Sequence, residues 1–187
     1  MPQLIPGLYQ VGKPRFTDSR GSFHKILCDS PAGFEELVFD EIYWSTSGTG
    51  VARGMHFQVP PFHGRKLVFA TTGLVRDMIV DLRVGSPTFH QVWQTDLAST
   101  TAGVLIPSGC AHGFIVIEGP ATLVYAQEGT YNFEADTGIN VNSIHFNDSI
   151  PKYESLSQRD LDLPYLSDFS SPFVFEEFKY PDWNKEL

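Results

Sequence analysis

The chain has 187 residues, 42% of them apolar and 13% aromatic, enough to fill the core of one domain and too apolar for a disordered chain. Its 13 Lys and Arg against 22 Asp and Glu give a net charge of −9, which argues against a nucleic acid or an anionic membrane as ligand, because both need a basic footprint. Any phosphate contact must therefore come from a few placed arginines. The N-terminal Met1-Pro-Gln-Leu-Ile-Pro-Gly7 has neither the basic nor the apolar region of an export leader, and no apolar run reaches the ~18 residues of a membrane helix. The expectation is a cytoplasmic protein with no membrane contact. Ser30-Pro31 ahead of Phe34-Glu-Glu-Leu37 predicts a short capped helix with proline at its first position. Strands follow at 36–44, 50–57, 66–71, 74–82, 91–97, 103–106, 113–117 and 121–127, each rich in Val, Ile, Phe, Tyr or Thr and bounded by Gly, Pro, Asn or Asp. Ser157-Gln-Arg-Asp160 reads as a capping box opening a helical turn that Pro164 ends. The C-terminal segment, with its alternating aromatic and acidic residues, is expected to dock on the domain. The fold class predicted is all-β, one domain over 1–187 with a core at about 10–166 and a peripheral segment at 167–187.

Chemistry-bearing residues concentrate on these strands: His56, Lys66, His112 and Tyr125 offer two imidazoles, an ammonium and a phenol. Pro107-Ser-Gly109-Cys-Ala-His112 resembles the second signature of the cupin double-stranded β-helix, a jelly-roll barrel in which a Pro/Gly turn delivers a His to the barrel mouth. A metal-binding barrel of that kind needs a His-x-His pair with a downstream carboxylate, and here the earlier strand has His56-Phe-Gln58. No metal and no other cofactor is expected, which leaves the imidazoles for acid–base work. Cys28 and Cys110 lack metal spacing and are too few for a disulfide framework, so they read as reduced thiols.

Six motifs occur in order and at nearly the spacing of one enzyme family: Asp18-Ser-Arg20-Gly21-Ser-Phe23, Gly50-Val-Ala-Arg53-Gly54-Met-His56-Phe-Gln58, Lys66-Leu-Val68, Val80-Asp81-Leu-Arg83 through Ser86-Pro87-Thr88-Phe89, Ile106-Pro107-x-Gly109-x-Ala111-His112-Gly113-Phe114, and Leu156-Ser157-x-x-Asp160. On them the chain resembles the dTDP-4-dehydrorhamnose 3,5-epimerase family. The resemblance implies a metal-free cupin homodimer that epimerises a nucleotide-diphosphate 4-keto-6-deoxyhexose at carbon 3, carbon 5 or both. It implies His56 as base, Asp160 as the carboxylate that orients it, Tyr125 as the acid on the opposite face and Lys66 as enolate stabiliser. His112 would position the sugar, and Arg53 with Arg20 of the neighbouring subunit would clamp the diphosphate, which suits bidentate guanidinium. Phe23, Gln58, Ser45 and Tyr131 complete the implied substrate contacts.

The chain departs from the family where substrate selection is expected. Ser22-Phe23-His24-Lys25 puts a cation where a glutamate is usual, Glu41-Ile-Tyr43-Trp-Ser45 replaces two amides by a carboxylate and a phenol, and Thr130-Tyr131 keeps one aromatic of a pair. Lys25, Glu41 and Tyr43 are accordingly expected to bear on the choice of nucleotide or sugar. The site residues also have structural readings. His56 reads as a hydrogen-bonded core histidine, Asp160 as the acid of a helix cap, Tyr125 as a buried strand aromatic and Lys66 as a strand-edge charge. Asp81 and Arg83 read as a structural pair, and His24, His63, His90 and His145 as surface or packing residues. Two other functions share these residues, a sugar-nucleotide ketoisomerase and a cupin that binds a sugar nucleotide without turnover.

Overall fold

A computed structural model describes residues 4–12, 15–26, 37–146 and 150–176. Among them are ten strands: β1 (Tyr9–Val11), β2 (Phe16–Asp18), β3 (Gly21–Phe23), β4 (Glu41–Ser47), β5 (Ala52–Gln58), β6 (Lys66–Asp81), β7 (Val92–Ala98), β8 (Gly103–Ile106), β9 (Cys110–Gln127) and β10 (Asp136–Gly138). The one α-helical turn among the described residues, α1 (Gln158–Leu161), starts where the capping box predicts, with Ser157 Oγ accepting from the Asp160 N–H at 3.1 Å. The all-β expectation holds. The helix expected at Pro31 falls on residues outside the described ones, and so does Cys28. No described helix is long and apolar enough to cross a membrane.

The main sheet runs β1-β8-β6-β9-β5-β10, with β4 pairing on β9 and β7 on β6, all antiparallel. Its spine is the pair of long strands β6 and β9, of 16 and 18 residues. Each was expected as two separate strands. The structure joins them through a run of register shifts where β6 residues 70–75 face β9 residues 116–123. The punctuation that suggested a break is what makes these bulges: Gly73 has φ +73, and a Cβ there would lie 2.5 Å from the Glu118 carbonyl oxygen and 2.6 Å from Ala121 Cα.

The shifts change which residues face inward. Before them β6 turns Val68 and Ala70 to one core cluster, and after them Val75 and Ile79; β9 likewise presents Phe114 and Val116, then Ala121, Leu123 and Tyr125. Met78, Val80, Leu82, Ala111 and Ile115 cover a second cluster with Met55, Ile139 and Phe173. The C-terminal segment docks on that second cluster. Phe173 is buried against Phe57, and Val174 bridges Val84 in parallel. Phe178 and Tyr180 lie outside the described residues. Asp81 and Arg83 pair as expected: the buried carboxylate accepts from the Arg83 backbone N–H and guanidinium and from the Ser86 and Thr88 hydroxyls.

Candidate active site

Strand register places the first half of the site. Glu41, Gln127 and Lys66 are partners in one row across β4, β9 and β6, Tyr43, Tyr125 and Val68 form the next row, and Ser45, Leu123 and Ala70 a third. Alternation puts all three rows on one face of the sheet. Tyr125 is buried and stacked on Tyr43, with ring centroids 4.9 Å apart and planes 15° apart, and its hydroxyl lies 3.2 Å from Ser45 Oγ. Burial pushes its pKa well above the ordinary phenol value, and the Ser45 hydrogen bond offsets only part of that. The phenol is held protonated.

The second half is built on β5, which carries Arg53-Gly54-Met55-His56 and breaks register with β9 between Arg53 and His56. Gly54, at φ +108, lets this bulge press on β9; a Cβ there would sit 2.6 Å from Gly113 Cα and 2.7 Å from the His112 carbonyl oxygen. Close approach brings His56 Nε2 within 2.6 Å of Asp160 Oδ1, while Gly54 N–H donates to Asp160 Oδ2 at 3.4 Å. Asp160 is 2% exposed. Burial raises its pKa, but the hydrogen bond from His56 and the charge of that ring outweigh burial and hold it below the ordinary carboxylate value. Because a carboxylate only accepts, Nε2 must carry the proton, leaving Nδ1 as the basic lone pair. The Ser157 cap uses the Asp160 backbone, so the side chain is free for His56 and both readings of this residue hold together.

A second carboxylate–imidazole pair stands beside the first. His112 is the register partner of His56, its Nε2 is 2.7 Å from Asp77 Oδ1, and its ring lies 6.1 Å from Tyr125 at 70°. Asp77 is fully buried with Oδ2 unpaired among the described residues, and burial raises its pKa against the lowering effect of His112. Asp77 belongs to no motif singled out in the sequence. Its signal was an acid at the inward parity of Val75 and Ile79.

These residues line one cavity of about 270 Å³, whose walls include Tyr43, Ser45, Arg53, His56, Gln58, Lys66, His112, Tyr125 and Tyr131. A recess of about 40 Å³ shares His56, Lys66, His112 and Gln127 with it. Burial lowers the pKa of Lys66, partly offset by the charge of Asp136. Arg53 Nε donates to Ser47 Oγ at 2.9 Å. The lining also holds Asp136 and Arg159, which lay outside the sequence expectations. Asp136 accepts from Arg159 at 2.6 Å and from the Tyr131 hydroxyl at 3.1 Å. Gln58 lines the cavity, but its amide is occupied by the Phe62 carbonyl and the Asn132 N–H.

Four expected contacts sit elsewhere. Glu41 is not in the lining; its carboxylate accepts from the Tyr131 N–H at 2.9 Å and from the Gln127 amide at 3.4 Å. Arg20 and Phe23 lie on the separate β2–β3 hairpin with Arg20 paired to Asp18, and the exposed Lys25 follows that hairpin. Among the other histidines, His63 meets Ser108 and the edge of Phe173, His90 stacks on Phe89, His24 contacts Ser22 and His145 is exposed. Among the described residues no three His, Cys, Asp or Glu side chains are grouped so as to hold a metal ion.

Comparison with known proteins matches the chain to a family. The family model for dTDP-4-dehydrorhamnose 3,5-epimerase matches residues 2–168. The dTDP-4-dehydrorhamnose 3,5-epimerase of Mycolicibacterium smegmatis is 34% identical over 189 residues, spanning 96% of this chain and 89% of that one. Among solved structures, a 4-keto-6-deoxy sugar epimerase from the novobiocin gene cluster of Streptomyces spheroides superimposes with TM-score 0.80 at 31% identity, covering 89% of this chain and 86% of the other. The Legionella pneumophila dTDP-6-deoxy-D-glucose-3,5-epimerase, solved with dTDP-4-keto-L-rhamnose, gives 0.79 at 26% identity, covering 90% and 99%. The fold they share with this chain is the cupin jelly roll.

Proposed function

We propose that this chain, which belongs to the dTDP-4-dehydrorhamnose 3,5-epimerase family, is an isomerase that inverts carbon 3, carbon 5 or both of a nucleotide-diphosphate 4-keto-6-deoxyhexose. The observation that carries the reading is a single cavity lined by a carboxylate-supported imidazole, a protonated phenol and an ammonium group.

Both carbons flank the ketone at carbon 4, so both carry acidic hydrogens. His56 removes one through Nδ1, the C–H electron pair becomes the C=C bond, and the carbonyl pair moves onto the ketone oxygen. Asp160 stabilises the imidazolium and Lys66 the enolate. Tyr125 then protonates the same carbon from the other face, and solvent returns a proton to the phenolate and takes one from the imidazolium. No redox partner is needed, and the balance closes with one inverted centre. Arg53 holds the diphosphate, and His112, fixed by Asp77, contacts the sugar; Tyr43, Ser45, Gln58 and Tyr131 shape the rest of the pocket. Arg20, Phe23 and Lys25 serve the partner's cavity in a homodimer, a reading supported by the place of Arg20 and Phe23 on a hairpin, and of Lys25 just after it, outside this chain's own pocket. The reading extends to a cytoplasmic enzyme made of one domain with a docked C-terminal segment.

Proton NMR of turnover in heavy water tests the reaction. Deuterium at carbon 3 or carbon 5 with the ketone unmoved is the expected result; a relocated carbonyl identifies a ketoisomerase, and binding without exchange a non-catalytic protein. Thermal shift with a panel of nucleoside diphosphates identifies the base, thymidine diphosphate being the expected stabiliser.

A further inference from the structure

Gln127 belongs to no motif noted in the sequence, yet it sits in the row between Glu41 and Lys66, is 6% exposed and lines both the main cavity and its recess. Its amide orientation is fixed by chemistry. The Glu41 carboxylate can only accept, so the atom 3.4 Å from it must be Nε2, and Oε1 accepts from the Tyr43 hydroxyl at 2.9 Å. A primary amide has two N–H donors. One points to Glu41, and among the described residues the other has no acceptor. The Lys66 ammonium, on the register partner of Gln127 in the adjacent strand, makes no hydrogen bond within the described residues either. Two donors from neighbouring strands are thus offered to one cavity, one rigidly held and one on a flexible stem.

We propose that the free Nε2–H of Gln127 donates, together with Lys66, to the substrate's ketone oxygen and to the enolate that forms from it, making Gln127 a specific electrostatic component of this enzyme. The inference rests on the epimerase reading. Two donors suit this oxygen because it gains a full charge during proton abstraction, and a donor already locked by Tyr43 and Glu41 requires no reorganisation at that moment. The same oxygen serves the enolates toward carbon 3 and carbon 5, so one donor pair supports either inversion.

The test compares deuterium incorporation and steady-state kinetics for the wild type, Gln127→Leu and Gln127→Glu on a nucleotide 4-keto-6-deoxy sugar. Gln127→Leu keeps the volume and loses the donor, and loss of one such donor lowers kcat and the exchange rate about 10²- to 10³-fold with KM within about 3-fold of the wild type. Wherever the wild type exchanges at both carbons, both rates fall by the same factor. Gln127→Glu preserves the shape and sets a carboxylate against the enolate; its exchange is slow at neutral pH and partly recovers as acid protonates the new carboxyl, a response that mere packing does not produce. Should Gln127→Leu fail to fold, that acid recovery alone decides. Exchange by either variant at the wild-type rate overturns the role of Gln127 and leaves the epimerase standing. A wild type that exchanges at neither carbon overturns the epimerase reading and this inference with it.

Discussion

Replacing Asp160 by Asn removes a charge while keeping the shape, and the geometry sets the expected loss. Asp160 Oδ1 lies 2.6 Å from His56 Nε2 and Oδ2 3.4 Å from the Gly54 N–H, so two donors converge on two acceptors. An amide has only one acceptor. With its oxygen toward Gly54, the NH₂ group faces His56, drives the ring proton to Nδ1 and removes the lone pair that abstracts the substrate proton. With its oxygen toward His56, two N–H groups collide at Gly54 and the imidazolium formed in the reaction has no counter-charge. Breaking a buried ion pair costs about 3–5 kcal/mol; His56 is 28% exposed, so about 2–4 kcal/mol is the better figure, or about 30- to 1000-fold in kcat. KM should stay within about 3-fold, because Asp160 does not line the cavity. The helix should survive, since Ser157 caps through the backbone of Asp160. Steady-state kinetics and deuterium exchange on Asp160→Asn measure this, and a kcat within about 5-fold of the wild type, or a loss confined to KM, refutes the orienting role.

Gly54→Ala should lower the unfolding free energy by about 2–6 kcal/mol in urea titration, the sum of backbone strain at positive φ and overpacking on β9; a loss below about 1 kcal/mol contradicts the close-approach argument. Mixed Arg20→Ala and His56→Ala homodimers, each inactive alone, should regain up to about a quarter of wild-type activity on subunit exchange if Arg20 serves the partner's site, and none if each chain is self-contained. Burial lowers the Lys66 pKa while it raises those of Tyr125 and Tyr43, the latter to about 12, so Lys66 titrates first as pH rises. The alkaline limb of kcat/KM should fall below the ordinary lysine value of 10.5 and move up in Lys66→Arg, whose guanidinium keeps its proton; an unmoved limb assigns the titration to another group. By the same sign, the partly buried ammonium costs stability at every pH below its folded pKa and the cost fades above it. Lys66→Met should therefore raise the melting temperature at neutral pH.

His56, His112 and Asp160 were legible because each sits in a short motif whose spacing is set by backbone geometry: Arg53-Gly54-x-His56 by a bulge, Pro107-x-Gly109-x-x-His112 by a tight turn, Ser157-x-x-Asp160 by a cap. Asp77, Gln127, Asp136 and Arg159 were not, because what places them is long-range pairing. Asp77 meets His112 only through the β6–β9 ladder, and Gln127 meets Glu41 and Lys66 only through a row across three strands. Glu41 was read as facing the substrate for the same reason, since its true partners, the Tyr131 N–H and the Gln127 amide, are remote in sequence. The strand breaks expected near 72–73 and 118–120 mark real irregularities, but hydrogen bonding continues through them because the paired strands kink at the same place.

That shared kink has a consequence for how the barrel can vary in length. His112 and Tyr125 are an odd number of positions apart, so an unbroken pleat would send one of them outside, as it would Lys66 or Asp77 on the other strand. Removing a single residue from either kink and restoring alternation would leave each pair an even number of positions apart and still on one face, so the kinks are where these strands can shorten. A one-residue change elsewhere between the paired groups, with the kink kept, would instead turn the phenol or the ammonium to the exterior while the imidazole stayed in place.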